Sequence, residues 1–327
     1  ERVGQLFGLN QADRNRLLRA AELCKADLLT DMVGEFPELQ GVMGSYYARW
    51  DQEDGAVADA IRDYYRPRSA GDALPGSPVS AALAVADRLE TLVGIFGIGE
   101  KPTGDKDPFG LRRAALGLIR ILSEYTRDRP LYLTGLITTT IAVFESVHRP
   151  MDASVRNDLN AFILERLRFW FVGKGFATDE IESVLAQVEK ASSVPDIVDR
   201  LEAVRAFRKL PAADALAAAN KRIRNILKQA GGATNGAFDP SLSAQDEERV
   251  LGERVAAIKG EVETSFANAD YEGGLKKLAG LRPAVDAFFD KVLVMHDDEA
   301  IRRNRLALLA GLSDLFLGVA DISRLQS

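Results

Sequence analysis

The stretch VGIFGIGEKPTGDKDPFGLRRAALG, residues 93–117, has the glycine spacing of a loop that binds nucleotide phosphates. Gly94 and Gly99 stand as in that motif, but Glu100 takes the place of its lysine, and the lysine that follows precedes a proline. Such loops aim backbone N–H groups and a lysine at phosphate, whereas glutamate repels phosphate and proline has no N–H. In proteins that bind nucleotides, this motif follows a β-strand. Here it follows residues 79–93, which have the apolar spacing of a helix. We therefore expect no nucleotide site here.

Histidine and cysteine are scarce, which limits the other chemistry that the chain could perform. Only His148 and His296 occur, far apart, and neither lies in a carboxylate motif of metal-site spacing. Nucleophiles activated by histidine and metal centres with several histidine ligands are therefore not expected. Cys24 is the single cysteine, so an internal disulfide framework and a cysteine-based zinc cluster are excluded, and the cytoplasm is the natural compartment.

Helices must position any functional residues. The 327 residues are 46% apolar and 28% charged, which is typical of a globular protein with two or three domains. Nearly every long segment has apolar residues at three- and four-residue intervals, and no segment shows strong strand alternation with turn residues. The longest uncharged apolar stretch, residues 131–144, contains four threonines and falls short of a membrane span. The sequence predicts an all-α protein with a helical first domain and a C-terminal helical bundle.

The predicted helices follow from this spacing and from the proline and glycine residues at their ends. In the first part we expect helices over residues 12–29, 35–50 and 53–66, and further helices that begin near residues 79, 108, 130, 152 and 178. In the second part we expect helices over residues 210–229, 244–268, 271–294 and 299–325. The last of these has an apolar stripe that must pack inward, formed by Leu306, Leu309, Leu312 and Leu315.

Charge is distributed unevenly along the chain. The net charge of −6 argues against indiscriminate coating of nucleic acid. Between Asp199 and Lys228, however, eight basic residues stand against three acidic ones, and the sign reverses between Asp239 and Asp270. This pattern fits a nucleic-acid footprint beside a repelling region. It fits the solvated face of an ordinary helix equally well.

Helix geometry sorts the polar residues within segment 216–228. At about 100° per residue, every third or fourth residue shares a face. The face expected to contact phosphate consists of Lys221, Arg224 and Lys228. Arg222 and Asn225 form a neighbouring stripe, and the inward side consists of Ile223, Ile226 and Leu227.

Four longer segments resemble a single family. Two are KADLLTDMVGEFPELQGVMGSYYA (25–48) and KPTGDKDPFGLRRAALGLIRIL (101–122). The others are LAAANKRIRNIL (216–227) and FFDKVLVMHDDEAIRRNRLALLAGLSDLFLGVADISRLQ (288–326). In this order they are similar to the middle and the C-terminal end of the bacterial glycyl-tRNA synthetase β subunit. The resemblance extends over nearly the whole chain and implies its carboxy-terminal half.

That family implies a division of labour. Its enzymes are aminoacyl-tRNA synthetases that ligate glycine to tRNA(Gly), releasing AMP and pyrophosphate. The α subunit contains the class II site for glycine and ATP, and the β subunit supplies most tRNA contacts, in a complex expected to be α2β2. The implied partners are tRNA(Gly) and the α subunit, with no DNA and no membrane. The assembled enzyme uses ATP and Mg²⁺, while this part binds no cofactor and is expected to be inactive alone.

The first domain, expected at residues 1–125, also resembles the HD superfamily of helical phosphohydrolases, which bind metal through histidines and aspartates. Asp87, in ALAVADRLETL, matches the final aspartate, but no histidine precedes His148, and RDYYRP has Tyr64 where family members can have histidine. A lone carboxylate cannot hold a catalytic metal, so the resemblance implies the fold without the chemistry. The alternative function is an HD-type metal-dependent phosphohydrolase with a helical interaction domain. A third is an interaction scaffold with no RNA affinity.

The C-terminal bundle resembles the anticodon-binding domain shared with arginyl-tRNA synthetases, on the pattern RRNRLALL at residues 302–309. We expect this domain at residues 196–327, after a helical linker region at residues 126–195. The candidate tRNA-binding residues in it are Asn220, Lys221, Arg222, Arg224, Asn225, Lys228, Arg302 and Arg305. Cations suit RNA phosphates and amides suit base edges. For Asn225 and Arg305 the alternative is a buried structural role.

The glycine-dense stretch is then a family signature, KPTGDKDPFGLRRA. Its turn residues are Pro102, Gly104 and Pro108. Asp105 or Asp107 can cap the helix that we expect from residue 108, and Arg112 and Arg113 lie on its first turns. We interpret the motif as a charged scaffold. The alternative is direct contact of both arginines with the tRNA acceptor arm.

Overall fold

The computed structural model describes residues 1–147, 149–187, 193–231 and 236–326. Within these ranges the chain forms sixteen α-helices and no β-strand, and its extended pairings are the isolated bridges Thr103–Lys106 and Tyr132–Ser193. The predicted all-α fold is confirmed. His148 and part of the predicted break at residues 231–243 lie outside the described residues.

The helices of the first part of the chain are α1 Arg2–Leu6, α2 Gln11–Leu23, α3 Asp31–Glu35, α4 Val42–Trp50, α5 Gly55–Asp63, α6 Pro78–Gly97, α7 Leu111–Tyr125, α8 Leu133–Ser146 and α9 Val155–Gly173. Those of the second part are α10 Thr178–Leu185, α11 Val194–Arg208, α12 Ala213–Gln229, α13 Asp246–Ala267, α14 Tyr271–Ala279, α15 Arg282–Lys291 and α16 Glu299–Leu317.

The described chain divides into two compact units, residues 1–170 with 193–195 and residues 171–187 with 196–326. The first unit is built around α6, which is buried over most of its length. Ser77 caps this helix by accepting a hydrogen bond from the Ser80 N–H at 3.1 Å, and Pro78 begins it. Several alanines on α6 let neighbours approach closely, and α1, α2, α5, α7 and α8 pack against it.

Arg88 of α6 is a buried cation that backbone carbonyls satisfy. Its Nη1 donates to the carbonyl of Tyr64 at 2.9 Å, and its Nη2 donates to that of Arg66 at 2.8 Å. Burial lowers the pKa of Arg88 to about 10, so the guanidinium remains charged at neutral pH. Gly117 of α7 leaves room for it, because a Cβ there would lie 2.5 Å from Nε of Arg88. One side chain therefore joins α6, α7 and the loop after α5.

The second unit packs α14, α15 and α16 around α13. Helix α12 contacts α15, α16 and the 3-10 turn Ile322–Arg324. The inward stripe predicted for α16 is confirmed, since all four of its leucines, Leu306, Leu309, Leu312 and Leu315, are buried. The predicted domain limits of 1–125, 126–195 and 196–327 stay a prediction.

Several predicted helices are shorter in the structure or are divided. Residues 12–29 form α2 and a separate 3-10 turn, and residues 35–50 are interrupted at Gly41, whose φ of 80° is left-handed. The helix expected from residue 108 begins at Leu111, directly after Gly110 with φ 66°. Residues 271–294 form α14 and α15, because Pro283 lies in the first turn of a new helix. In residues 299–325 the α-helix ends at Leu317, and Ile322–Arg324 forms a separate 3-10 turn.

Among the described helices, none combines the length and the apolar character that a bilayer crossing requires.

Candidate nucleic-acid interface

The predicted RNA-binding segment lies on α12 of the second unit. The alanines of this helix favour its formation, and Leu216, Asn220 and Ile223 turn inward, with at most 3% of each residue exposed. The opposite side faces solvent, and its exposed polar residues include Lys221, Arg222, Asn225 and Lys228. Ile226 and Leu227, predicted to lie inward, are half-buried at the margin between the two sides.

Three of these exposed side chains are cations without a carboxylate partner. Among the described residues, no acid lies within ion-pair distance of Lys221, Arg222 or Lys228. Such charges can bind phosphate without first breaking an internal ion pair. Arg222 also lies over the ring of Phe289 on α15, with Cζ 4.4 Å from the ring centroid.

Arg224 is also exposed, with 43% of its side chain open to solvent, but it has an acidic partner. Its guanidinium is paired with the carboxylate of Asp321, which is 1% exposed and also accepts from Nε of Arg324 at 2.9 Å. Nη1 of Arg224 lies 3.5 Å from Oγ of Ser323 as well. Helix geometry alone predicted that Arg224 lies on the phosphate-contacting face with Lys221 and Lys228. The structure differs because a buried carboxylate needs cations to offset its lost hydration.

The two asparagines of α12 have opposite environments. Asn220 is buried, and its Nδ2 donates to the carbonyl of Leu216 at 3.4 Å. It therefore faces the packed interior and not the surface. Asn225 is exposed, and the alternative of a buried structural role does not describe it. Its amide is therefore open to a base edge, whereas that of Asn220 is not.

The two candidate arginines of α16, Arg302 and Arg305, act within the bundle. Arg305 is 2% exposed, and its Nη2 donates to Oε1 of Glu248 at 2.6 Å while its Nη1 donates to the carbonyl of Leu293 at 2.6 Å. Arg305 therefore has a buried structural role, which was the alternative to a tRNA contact. Arg302 is half-buried and donates to the carbonyl of His296 at 3.0 Å.

Asn304, which lies between them, is a structural residue that sequence reasoning missed. Its Nδ2 donates to the carbonyl of Asp239 at 2.9 Å, and its Oδ1 accepts from the N–H of Asp239 at 2.7 Å. This pair of bonds holds the segment before α13. The available signal was a polar residue one helical turn before the buried Leu308, but its partner lies 65 residues away.

In the first unit, Asp107 positions the other two candidates. Its carboxylate accepts from the N–H groups of Leu111 at 2.8 Å and Arg112 at 2.9 Å, so Asp107, and not Asp105, makes these bonds at the start of α7. The Arg112 side chain turns back to donate to the carbonyl of Gly104. Arg113 is exposed. The motif thus contains both a scaffold arginine and an available one.

Arg113 borders a small cleft of about 120 Å³. The cleft is also lined by Arg120 and Trp170. Arg120 is already fixed, since it donates to the carbonyls of Ser69 at 2.9 Å and Asp72 at 2.7 Å. A fixed and an exposed arginine beside an indole can receive a phosphate and an adjoining sugar or base.

Asp87, which was matched to a metal ligand, faces a lysine. Nζ of Lys25 lies 3.1 Å from Oδ1 of Asp87 and 3.8 Å from Oε2 of Glu90. Partial burial opposes the charged form of Lys25, but the two carboxylates outweigh it and raise the pKa of this amine. Tyr64 is fully buried and donates to the carbonyl of Cys24 at 3.0 Å. The described residues contain no cluster of three or more metal-ligand side chains here or elsewhere.

Comparison with known families gives two matches. Residues 1–186 match the model of the glycyl-tRNA synthetase beta subunit. Residues 216–318 match that of the DALR anticodon binding domain, which covers the structure from within α12 to the end of α16.

Curated relatives are similar along almost the entire chain. The chain is 52% identical to a glycine–tRNA ligase beta subunit of Ralstonia nicotianae, over 99% of its own length and 46% of that protein. It is 49% identical to the subunit of the same name from Methylobacillus flagellatus, over 99% of this chain and 45% of the relative. The match to that of Pseudoalteromonas translucida is 47% identical, over 96% and 45%. The chain thus spans about half the length of the curated relatives it matches.

Proposed function

The chain belongs to the glycyl-tRNA synthetase β-subunit family, and from that premise we propose that it is a tRNA-binding part of a two-subunit glycine–tRNA ligase. The observation that supports this most is on α12. The matched anticodon-binding region begins there, and its outward side presents Lys221, Arg222 and Lys228 without carboxylate partners among the described residues. These cations bind the phosphates of the anticodon arm of tRNA(Gly), and Asn225 is placed to read a base edge.

The proposed partner for the chemistry is the α subunit, in an α2β2 complex in the cytoplasm. Glycine activation consumes ATP with Mg²⁺ on that subunit, and this chain binds neither. It binds no DNA and no membrane. We expect the isolated chain to show no glycine-dependent ATP–pyrophosphate exchange. Exchange by the chain alone would contradict this assignment.

In the first unit, Arg113 is the proposed contact for the acceptor arm. It is exposed next to the cleft at Trp170, whereas Arg112 is held by the carbonyl of Gly104. Arg113→Ala should weaken tRNA binding, and Arg112→Ala should mainly loosen the turn before α7. Arg113→Ala should have no effect on binding of a tRNA with a truncated acceptor stem, because neither the wild-type chain nor the variant can make this contact with the shortened RNA.

The HD-like unit is proposed to be non-catalytic. The ammonium of Lys25 already neutralises Asp87, and the ligand set needs histidines that residues 1–147 do not contain. Elemental analysis of the purified protein should find less than stoichiometric manganese, iron or zinc. One tightly bound metal ion, together with phosphatase activity that Asp87→Ala abolishes, would favour the phosphohydrolase alternative.

The decisive experiment is binding of tRNA(Gly) at several salt concentrations, with another tRNA as comparison. Each phosphate contact contributes roughly 0.7 to 0.9 to the salt slope, so Lys221→Ala with Lys228→Ala should lower the slope by about 1.5 without changing helicity. Lys276→Ala with Lys259→Ala removes the same charge from lysines that pair with Glu272 and Glu263, and should leave the slope unchanged. A scaffold without RNA affinity predicts no binding by the wild-type chain.

A further inference from the structure

Arg222 differs from the lysines beside it because an aromatic ring supports its guanidinium. Cζ lies 4.4 Å from the centroid of the Phe289 ring. Phe289 is half-buried, and its position is fixed by Phe288, which is fully buried and meets it edge-on at 5.4 Å and 86°. The guanidinium therefore rests on a ring that the core of the second unit holds in place.

One face of this guanidinium remains open. Arg222 is exposed, and within the described ranges no carboxylate pairs with it. Guanidinium groups lie flat on aromatic rings and stack equally well on nucleobases. Phe289 already restricts the Arg222 side chain. A base that stacks on the outer face of the guanidinium therefore loses less binding free energy to the ordering of that side chain.

The other arginine–ring contacts described in the second unit lack this open face. Arg200, over Tyr271, has 19% of its side chain exposed and is bound by Asp196 and by the carbonyl of Gly318. Arg205, over Phe176, has 29% exposed and pairs with acids of its own unit. Those contacts tie helices together, whereas that of Arg222 faces solvent.

The neighbours of Arg222 suit an unpaired base. Asn225 lies three residues further along the helix, on the same stripe, and offers both a donor and an acceptor. Lys221 precedes it and offers a charge for the adjoining phosphate. Proteins bind bases splayed out of RNA loops by stacking on a planar group and by hydrogen bonds to the base edge, and an ammonium suits the adjoining phosphate.

We propose that Arg222 and Phe289 form a stacking platform for an unpaired base of the anticodon loop, with Asn225 at the edge of that base. This inference rests on the proposed function, because it assumes that tRNA binds the outward side of α12. It adds Phe289, which no sequence pattern singled out, and gives Arg222 a role that lysine cannot perform.

The test uses tRNA(Gly) in which 2-aminopurine replaces each anticodon-loop base in turn, since its fluorescence falls when it stacks. Wild-type chain should quench the probe at one position. Arg222→Lys keeps the charge without the plane, and should abolish the quenching, weaken binding about tenfold and leave the salt slope unchanged. Phe289→Leu keeps apolar volume and should reduce quenching in the same way. Lys221→Ala should do the reverse, lowering the slope and keeping the quenching.

The outcomes separate this inference from the proposed function. Binding of tRNA(Gly) with no quenching at any position, or with quenching that Arg222→Lys leaves intact, would overturn the platform while the tRNA-binding function stands. A wild-type chain that does not bind tRNA(Gly) at all would overturn both. Thermal melting of each variant verifies folding, and Arg222→Lys, being at the surface, provides the test if Phe289→Leu is unstable.

Discussion

Nη2 of Arg305 and Oε1 of Glu248 lie 2.6 Å apart inside the second unit, with 3% of the arginine side chain and none of the glutamate side chain exposed. This ion pair joins α16 to α13, and it engages an arginine that was a candidate tRNA-binding residue on sequence alone. The pairing and the bond from Arg305 to the carbonyl of Leu293 offset part of the cost of removing two charges from water, while Oε2 of Glu248 and Nε of Arg305 have no hydrogen-bond partner among the described residues.

Breaking this pair should destabilise the second unit strongly. Arg305→Met leaves Glu248 buried and uncompensated, and should lower the free energy of unfolding by about 3 to 5 kcal/mol, measured by urea denaturation. The double variant Arg305→Met with Glu248→Leu should recover much of this loss. Arg303→Met is the control, since its pair with Glu299 is mostly exposed and should contribute under about 0.5 kcal/mol. An Arg305 variant as stable as the control would show that the pair is unimportant.

The close approach of Arg88 to Gly117 gives a second prediction. A Cβ at residue 117 would lie 2.5 Å from Nε of Arg88, so Gly117→Ala should destabilise the first unit by about 1 to 3 kcal/mol. Gly135→Ala on α8 is the matched control, because nothing lies within 4 Å of its added methyl group. That variant should be neutral or more stable by up to about 1 kcal/mol. Equal melting temperatures for the two variants would contradict the packing described here.

The start of α16 should respond to acid. Hydrogen bonds from the N–H groups of Ile301 and Ala300 lower the pKa of the Asp298 carboxyl. Its stabilising contribution is therefore complete above the unfolded-state pKa of about 3.9 and is lost as pH falls through the lower folded-state value. Asp298→Asn should reduce the urea midpoint at pH 7, by an amount that shrinks below about pH 4. Asp297→Asn removes the same charge next to the cap and should have little effect at either pH.

Cys24 should report opening of the first unit. Burial raises the pKa of its thiol, and the charge of Asp87 adds to this effect. The folded protein therefore contains little thiolate at pH 8, and the sulfur is shielded, so N-ethylmaleimide should react far more slowly than with the urea-unfolded chain. Gly117→Ala should speed labelling relative to Gly135→Ala. Rapid labelling of the folded wild type would mean that the region around Cys24 is open.

Local patterns in the sequence were sufficient for the helices and for the inward stripe of α16, because apolar spacing at three and four residues reflects burial directly. Helix ends were less predictable. Gly110 and Pro283 mark their boundaries in retrospect, but glycine and proline also occur inside predicted helices, as at Gly117.

The roles of individual arginines depended on partners distant in sequence. Arg224 meets Asp321 across 97 residues, and Arg305 meets Glu248 across 57. Helix geometry identifies which residues share a face, but it contains nothing about which acid a neighbouring helix presents. Exposed Lys221 and buried Arg305 are both basic residues on amphipathic helices, and only the fold distinguishes a surface charge from a structural one.

The contact between Lys25 and Asp87 also has an evolutionary consequence. A metal site here would require several histidines and the removal of an ammonium that already occupies the carboxylate. Each histidine added singly would bind no metal, and replacing Lys25 first would leave Asp87 without its cation. No single substitution would therefore create a metal site at Asp87, and the Lys25–Asp87 contact separates this unit from metal chemistry by several simultaneous changes.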